Sequence, residues 1–229
     1  MRLTHPFSLT LAGLLVLLSM GMARPSTASA YWYYDGGYKL VTNRGVNCTI
    51  ETDNPIVGGG DAFSSAWVMC AQNGYGLRYM QVGYLEQDSN GDESPRYFWE
   101  WSNSETSWSG VHFLGLAADG SNNAFKITDD STSFYLLING NSYASVPKSS
   151  LIWSPNDVTV SGETYYATDQ VPGTPSNPVS MGPVTYKASN GSWYSAGMTE
   201  IATPNHVHPD GGNNLDQGDT SWSIWDTNP

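Results

Sequence analysis

Positive charge is scarce in this chain. Nine Lys and Arg stand against 21 Asp and Glu in 229 residues, a net charge of −12 with His neutral. So acidic a chain repels phosphate backbones and anionic bilayers, which excludes nucleic acid and membrane surfaces as partners. Cysteine is scarcer still: Cys48 and Cys70 are the only two, and they match no redox-motif spacing. Among the four histidines, His206 and His208 could present two ligands from one extended segment, but no third ligand follows at a recognisable spacing. No metal and no cofactor is therefore expected. Nor is there a Ser/His/Asp arrangement to suggest a serine nucleophile.

Long apolar runs are also missing, with one exception. Phe7 to Met22 is apolar, Arg2 precedes it, and Ala28-Ser29-Ala30 offers a small-residue cleavage site behind it. This is the pattern of a secretory signal, residues 1–30, that is removed and does not remain as a membrane span. The expectation is a secreted, extracellular protein. Residues 31–229 are then enough for one large all-β domain, and a monomer is expected. Without Arg2 and Arg24, seven cations face the same 21 acids, a net charge of −14. Such acidity suits work at low pH, where many carboxylates take up protons before the positive charge grows large. In an exported chain an isolated cysteine pair predicts a Cys48–Cys70 disulfide.

The remaining sequence is rich in short apolar runs, β-branched or aromatic, bounded by Gly, Asn, Asp, Ser or Pro. No amphipathic helical period stands out. Strands are predicted over Tyr38–Thr42, Val46–Glu51, Ala62–Ala71, Leu77–Glu86, Arg96–Trp101 and Gly110–Leu116. Six more follow at Ala124–Asp129, Ser133–Asn139, Asn141–Val146, Asp157–Tyr166, Val179–Lys187 and Ser221–Asp226. Hairpin signals such as Asp119-Gly120 and Asn139-Gly140 join them. The fold class is all-β: an antiparallel two-sheet β-sandwich of concanavalin or jelly-roll type with a concave groove. Asp88–Asp92, Gln170–Pro178 and Asn205–Gly218 read as polar surface loops.

Two of these strands each carry a polar side chain among apolar neighbours. Alternation places Tyr79, Gln81, Gly83 and Leu85 on one face, and Thr159, Ser161, Glu163 and Tyr165 on one face of the later strand. The plainer interpretation puts Gln81 and Glu163 on the solvated side of antiparallel strands. Yet both faces also carry tyrosine, which suits the lining of a groove.

Ser65-Ala66-Trp67-Val68, Met80-Gln81-Val82-Gly83, Tyr97-Phe98-Trp99-Glu100-Trp101, the Glu163 strand and Pro183-Val184-Thr185-Tyr186 occur in that order. The series resembles the glutamic peptidases, the eqolisins typified by scytalidoglutamic peptidase, and more distantly the neprosin-type endopeptidases. The resemblance implies an acid-acting endopeptidase whose partner is a polypeptide substrate, with Gln81 and Glu163 as catalytic residues. It further implies Trp67 and Glu100 as groove residues, and Tyr79 and Tyr165 share their faces with the pair; Trp99 and Trp101 read better as core. The sequence departs from the family where eqolisins carry acidic residues: Met69-Cys70-Ala71 follows the Trp-Val strand and Tyr84-Leu85 follows Gln-x-Gly. Three other readings stay open: a carbohydrate-binding or lectin-like sandwich using its aromatics, a glycoside hydrolase using Glu100 and Glu163, and an inactive relative that kept the fold.

Overall fold

The computed structural model describes residues 32–58, 62–73, 77–87, 94–104, 106–202 and 206–227. The expected signal segment and the Asp88–Asp92 loop lie outside them. In chain order the strands are β1 (Tyr33–Leu40), β2 (Gly45–Glu51), β3 (Ser64–Ala71), β4 (Tyr79–Glu86), β5 (Arg96–Ser104) and β6 (Ser107–Trp108). Next come β7 (His112–Leu116), β8 (Asn122–Asp129), β9 (Ser133–Ile138), β10 (Asn141–Pro147), β11 (Asp157–Thr164) and β12 (Val179–Met181). Five short strands complete the series: β13 (Thr185–Lys187), β14 (Trp193–Ser195), β15 (Thr199–Glu200), β16 (Gly211–Asn213) and β17 (Trp222–Asp226). Among the described residues there is one 3-10 turn, Lys148–Ser150, and no α-helix.

The strands form two antiparallel sheets. The first runs β15-β1-β11-β3-β4-β5-β6, with β7 also on β5; the second runs β10-β9-β8-β2-β12-β17-β16, with β13 and β14 attached through β2. Between them lies the main apolar layer. Val46, Cys48 and Ile50 of β2 face Ala66, Val68 and Cys70 of β3 and Met80, Val82 and Tyr84 of β4 across it. A second apolar cluster covers the opposite face of the first sheet, built from Tyr34, Trp67, Met69, Tyr79, Leu85 and Phe98 with Trp32, Phe63 and Ile201. Every residue of β3, β4 and β11 is therefore buried. Neither side of the central strands faces water, so the side expected to be solvated is instead enclosed.

Three expectations need correction. Cys48 and Cys70 are both free thiols, buried in the layer between the sheets. They sit on facing sheets, which pack about 10 Å apart, whereas a disulfide needs Cα atoms within about 7 Å. Each thiol behaves as a small core residue, its pKa pushed up by burial. The predicted Val179–Lys187 strand is two strands, β12 and β13, parted at the cis Gly182-Pro183 bond. The Asn205–Gly218 stretch, read as a polar surface loop, contains β16 and buries His208 and Leu215.

Candidate active site

The register of the first sheet determines which polar groups can meet. On β4, Gln81 pairs with Glu100 of β5 on one side and Met69 of β3 on the other. Met69 pairs in turn with Thr159 of β11, so Gln81 and Glu163 lie on the same face, two strands and four residues apart. Trp67 is the midpoint of that diagonal: it stands two residues before Met69 and opposite Ser161. Each step of the diagonal moves one strand over and two residues along, about 7–8 Å, a span that long side chains cross.

Gly83 makes room for this arrangement. It pairs with Trp67, and a Cβ built on it would stand 2.2 Å from the Ala66 carbonyl oxygen and 2.7 Å from the Trp67 Cα. With no side chain at that point, β3 and β4 stay close and the indole can lie along the diagonal. Its Nε1 donates to Glu163 Oε2 at 2.7 Å. At the other end of the diagonal, Gln81 Nε2 donates to Glu100 Oε1 in a short contact. Trp108 Nε1 donates to Glu100 Oε2 at 2.8 Å.

All of this happens away from solvent. Glu100 is 0%, Glu163 2% and Gln81 3% exposed. Burial pushes Glu163 up to about 8, the charge of Glu100 adds to the rise, and the hydrogen bonds from Trp67 and Tyr34 oppose it. Glu100 is pushed up to about 7 by burial, against the donors Trp108, Tyr79 and Gln81. Tyr34, paired with Glu163 across β1 and β11, and Tyr79 each feel both carboxylates. The two tyrosines therefore connect the acidic groups, although the Tyr79 hydroxyl stops short of a full hydrogen bond. Two acceptors, Gln81 Oε1 and Glu163 Oε1, have no hydrogen-bond partner among the described residues. Buried polar atoms of this kind ordinarily find partners; both residues singled out from the sequence carry one, as do Tyr79 and several residues away from this face, among them Asn43, Tyr84 and Trp222.

No family model matches the sequence, and no curated protein matches it. Comparison of the structure with solved structures gives a different result. Scytalidoglutamic peptidase bound to a transition-state analogue inhibitor superposes with a TM-score of 0.61 at 16% identity, over 85% of this chain and 98% of that one. The fold is that of the glutamic peptidases. A second scytalidoglutamic peptidase complex, with a peptide-based transition-state analogue, gives a TM-score of 0.58 at 14% identity. A member of the eqolisin family in complex with the tripeptide Ala-Ile-His gives 0.56 at 15% identity. Each covers the same shares of both chains.

Within this glutamic-peptidase fold, Trp67, Tyr79, Gln81, Glu100 and Glu163 lie together on one face of the first sheet. Tyr165, just past β11, packs on Trp32 and Phe63 at the edge of the cluster, with centroid distances of 5.5 and 5.9 Å. Trp99 and Trp101 pack instead against the layer between the sheets, as expected. His206 packs beside Tyr34 at the edge of the site, ring centroids 6.4 Å apart, and His208 against Tyr33 at 5.8 Å. His206 Nδ1 meets the Trp32 carbonyl at 3.2 Å and His208 Nε2 meets the Asp169 carbonyl at 2.9 Å, and no metal-holding group of three ligands exists among the described residues. Tyr34 and Trp108 were missed from sequence. Tyr34 lies just past the expected cleavage site, ahead of where the first strand was predicted to begin. Trp108 sits on a two-residue strand, too short to show any period.

Proposed function

We propose that this chain is a secreted, acid-acting glutamic-type endopeptidase, monomeric and without cofactor, that cleaves polypeptides with an activated water. The observation that carries the reading is the Gln81–Trp67–Glu163 diagonal, in which each terminal group is held at one atom and unpaired at the other. With Oε2 fixed by Trp67, Glu163 offers Oε1 to a water. The carboxylate takes a proton as the water oxygen bonds to the scissile carbonyl carbon. It then hands that proton to the nitrogen as the C–N bond breaks, and the acid and amine products leave. One N–H of Gln81 is committed to Glu100, which fixes the plane of the amide. The other is available to the developing oxyanion, a donation worth roughly 10²–10³ in rate.

Burial keeps Glu163 protonated up to about pH 8 in the substrate-free site. Water admitted beside Oε1 eases that desolvation and lowers the value toward the ordinary carboxylate range, so the base form used in acid belongs to the hydrated site. The carbohydrate-binding reading draws less support, because the structures that superpose with TM-scores of 0.56–0.61 are peptidases.

The test is cleavage of casein at about pH 2–5, bracketing the ordinary Glu value. Glu163→Gln abolishes turnover and Gln81→Ala lowers it about a hundredfold or more, with both variants folded. Full activity in both would overturn the reading.

A further inference from the structure

Three of the seven cations between Tyr31 and Pro229 converge on one carboxylate. Asp129, at the end of β8, has a fully buried side chain that meets Arg44 Nε at 2.9 Å, Lys148 Nζ at 2.5 Å and Lys187 Nζ at 3.0 Å. One negative charge therefore faces three positive ones. The neighbouring Asp130 carboxylate is already engaged by Thr132, Ser133 and the Tyr135 hydroxyl. Beside the cluster is a cavity of about 570 Å³, lined by Arg44, Lys148 and Asp129 and, from the loop after the 3-10 turn, by Leu151, Ile152 and Trp153. Arg44 reaches Asp129 only through Nε, with Nη1 in a long 3.4 Å contact to the Ser189 carbonyl. The Arg44 and Lys148 side chains are each about one-third exposed, and Ile152 at the rim is 66% exposed.

The cavity thus joins an excess of positive charge to an apolar wall, on a chain that is otherwise strongly acidic. Anions are repelled from most of such a surface and drawn to this place. A guanidinium with free terminal N–H groups suits a carboxylate. We propose that the cavity binds small amphipathic carboxylates, with the anionic head against Arg44 and Lys148 and the apolar group along Leu151 and Ile152. The C-terminal residue of a peptide with an aliphatic side chain belongs to this chemical class.

Calorimetric titration of the full chain with N-acetyl-leucine, against N-acetyl-leucinamide, tests this at about pH 5, where the ligand's carboxyl is ionised. The acid binds saturably in the millimolar range expected of so small a ligand; the amide binds about tenfold more weakly or not at all. Arg44→Gln and Lys148→Gln each weaken the acid about tenfold, the loss of one charge-assisted contact. Because Arg44→Gln also takes a partner from buried Asp129, Ile152→Asp provides an independent arm. It lies at an exposed rim, leaves Tm unchanged and abolishes binding. Equal affinity for acid and amide, no saturation with the acid, inorganic phosphate binding as tightly as N-acetyl-leucine, or unaltered binding in Ile152→Asp would each overturn the proposal.

Discussion

Glu163 has two neighbours that pull its proton affinity in opposite directions. The Trp67 indole donates to Oε2 at 2.7 Å and stabilises the carboxylate, whereas the charge of Glu100 stabilises the protonated acid. Substitutions at the two positions should therefore move the same titration in opposite directions. Trp67→Phe removes the donor, raises the Glu163 pKa and slows turnover by about ten- to a hundredfold, the range for a hydrogen bond to a charged group. Glu100→Gln removes the competing charge while its amide oxygen can still accept from Gln81, so the Glu163 pKa falls. The ionisation limb of kcat/KM against pH, or direct carboxyl NMR titration, reads both changes. Movement in the same direction would show that Glu163 responds to general loosening of the site and not to these two contacts.

At the scale of the strand, close contact between β3 and β4 is what places the diagonal. Gly83→Ala would drive a methyl group to 2.2 Å from the Ala66 carbonyl oxygen, a backbone atom that cannot swing aside. The expected cost is about 2–3 kcal/mol of stability, as for overpacking in a filled core, measured by urea denaturation, together with loss of activity as Trp67 is displaced. Much of this element was legible in the sequence: the Gln-x-Gly spacing, the alternation of β4 and the start of β11 at Asp157 all hold in the structure. Period-two patterning is strong wherever one face of a strand meets the inter-sheet core. It was weaker where Gly36-Gly37 interrupts β1, so the prediction began that strand at Tyr38 and missed Tyr34. It was absent in β6, β14, β15 and β16, which hold two or three residues each. Alternation could place Gln81 and Glu163 on their faces but could not show that the second face is roofed by Trp32, Phe63 and Ile201, since that cover comes from segments distant in sequence. The free thiols have a similar origin, because compartment chemistry predicts oxidation and only the packing of two sheets shows how far apart facing strands stand.

Across the whole molecule, the buried acids give the fold a preference for low pH. Burial pushes Asp35 up to about 7, Asp157 up to about 6, Glu100 up to about 7 and Glu163 up to about 8. Each of these groups binds its proton more tightly in the folded chain than in the unfolded one. Their contribution is greatest below the unfolded value of about 4 and is lost as pH rises through the folded values, by about 1.4 kcal/mol for each pH unit that separates the two. Asp129 acts in the opposite sense. Despite burial, hydrogen bonds from Arg44, Lys148 and Lys187 hold its carboxyl below the ordinary value, so its contribution is present above about pH 4 and fades in stronger acid. Self-repulsion among the excess acids also grows with pH. Thermal melts should therefore give the highest Tm near pH 4–5 and a fall of tens of °C by pH 8, since each kcal/mol moves Tm by about 2–4 °C in a domain of this size. Glu163→Gln should flatten part of that fall, because a neutral side chain at this position no longer binds a proton on folding. A Tm that stays level or rises from about pH 4.5 to 8 would show that these four acids do not govern the fold's pH response.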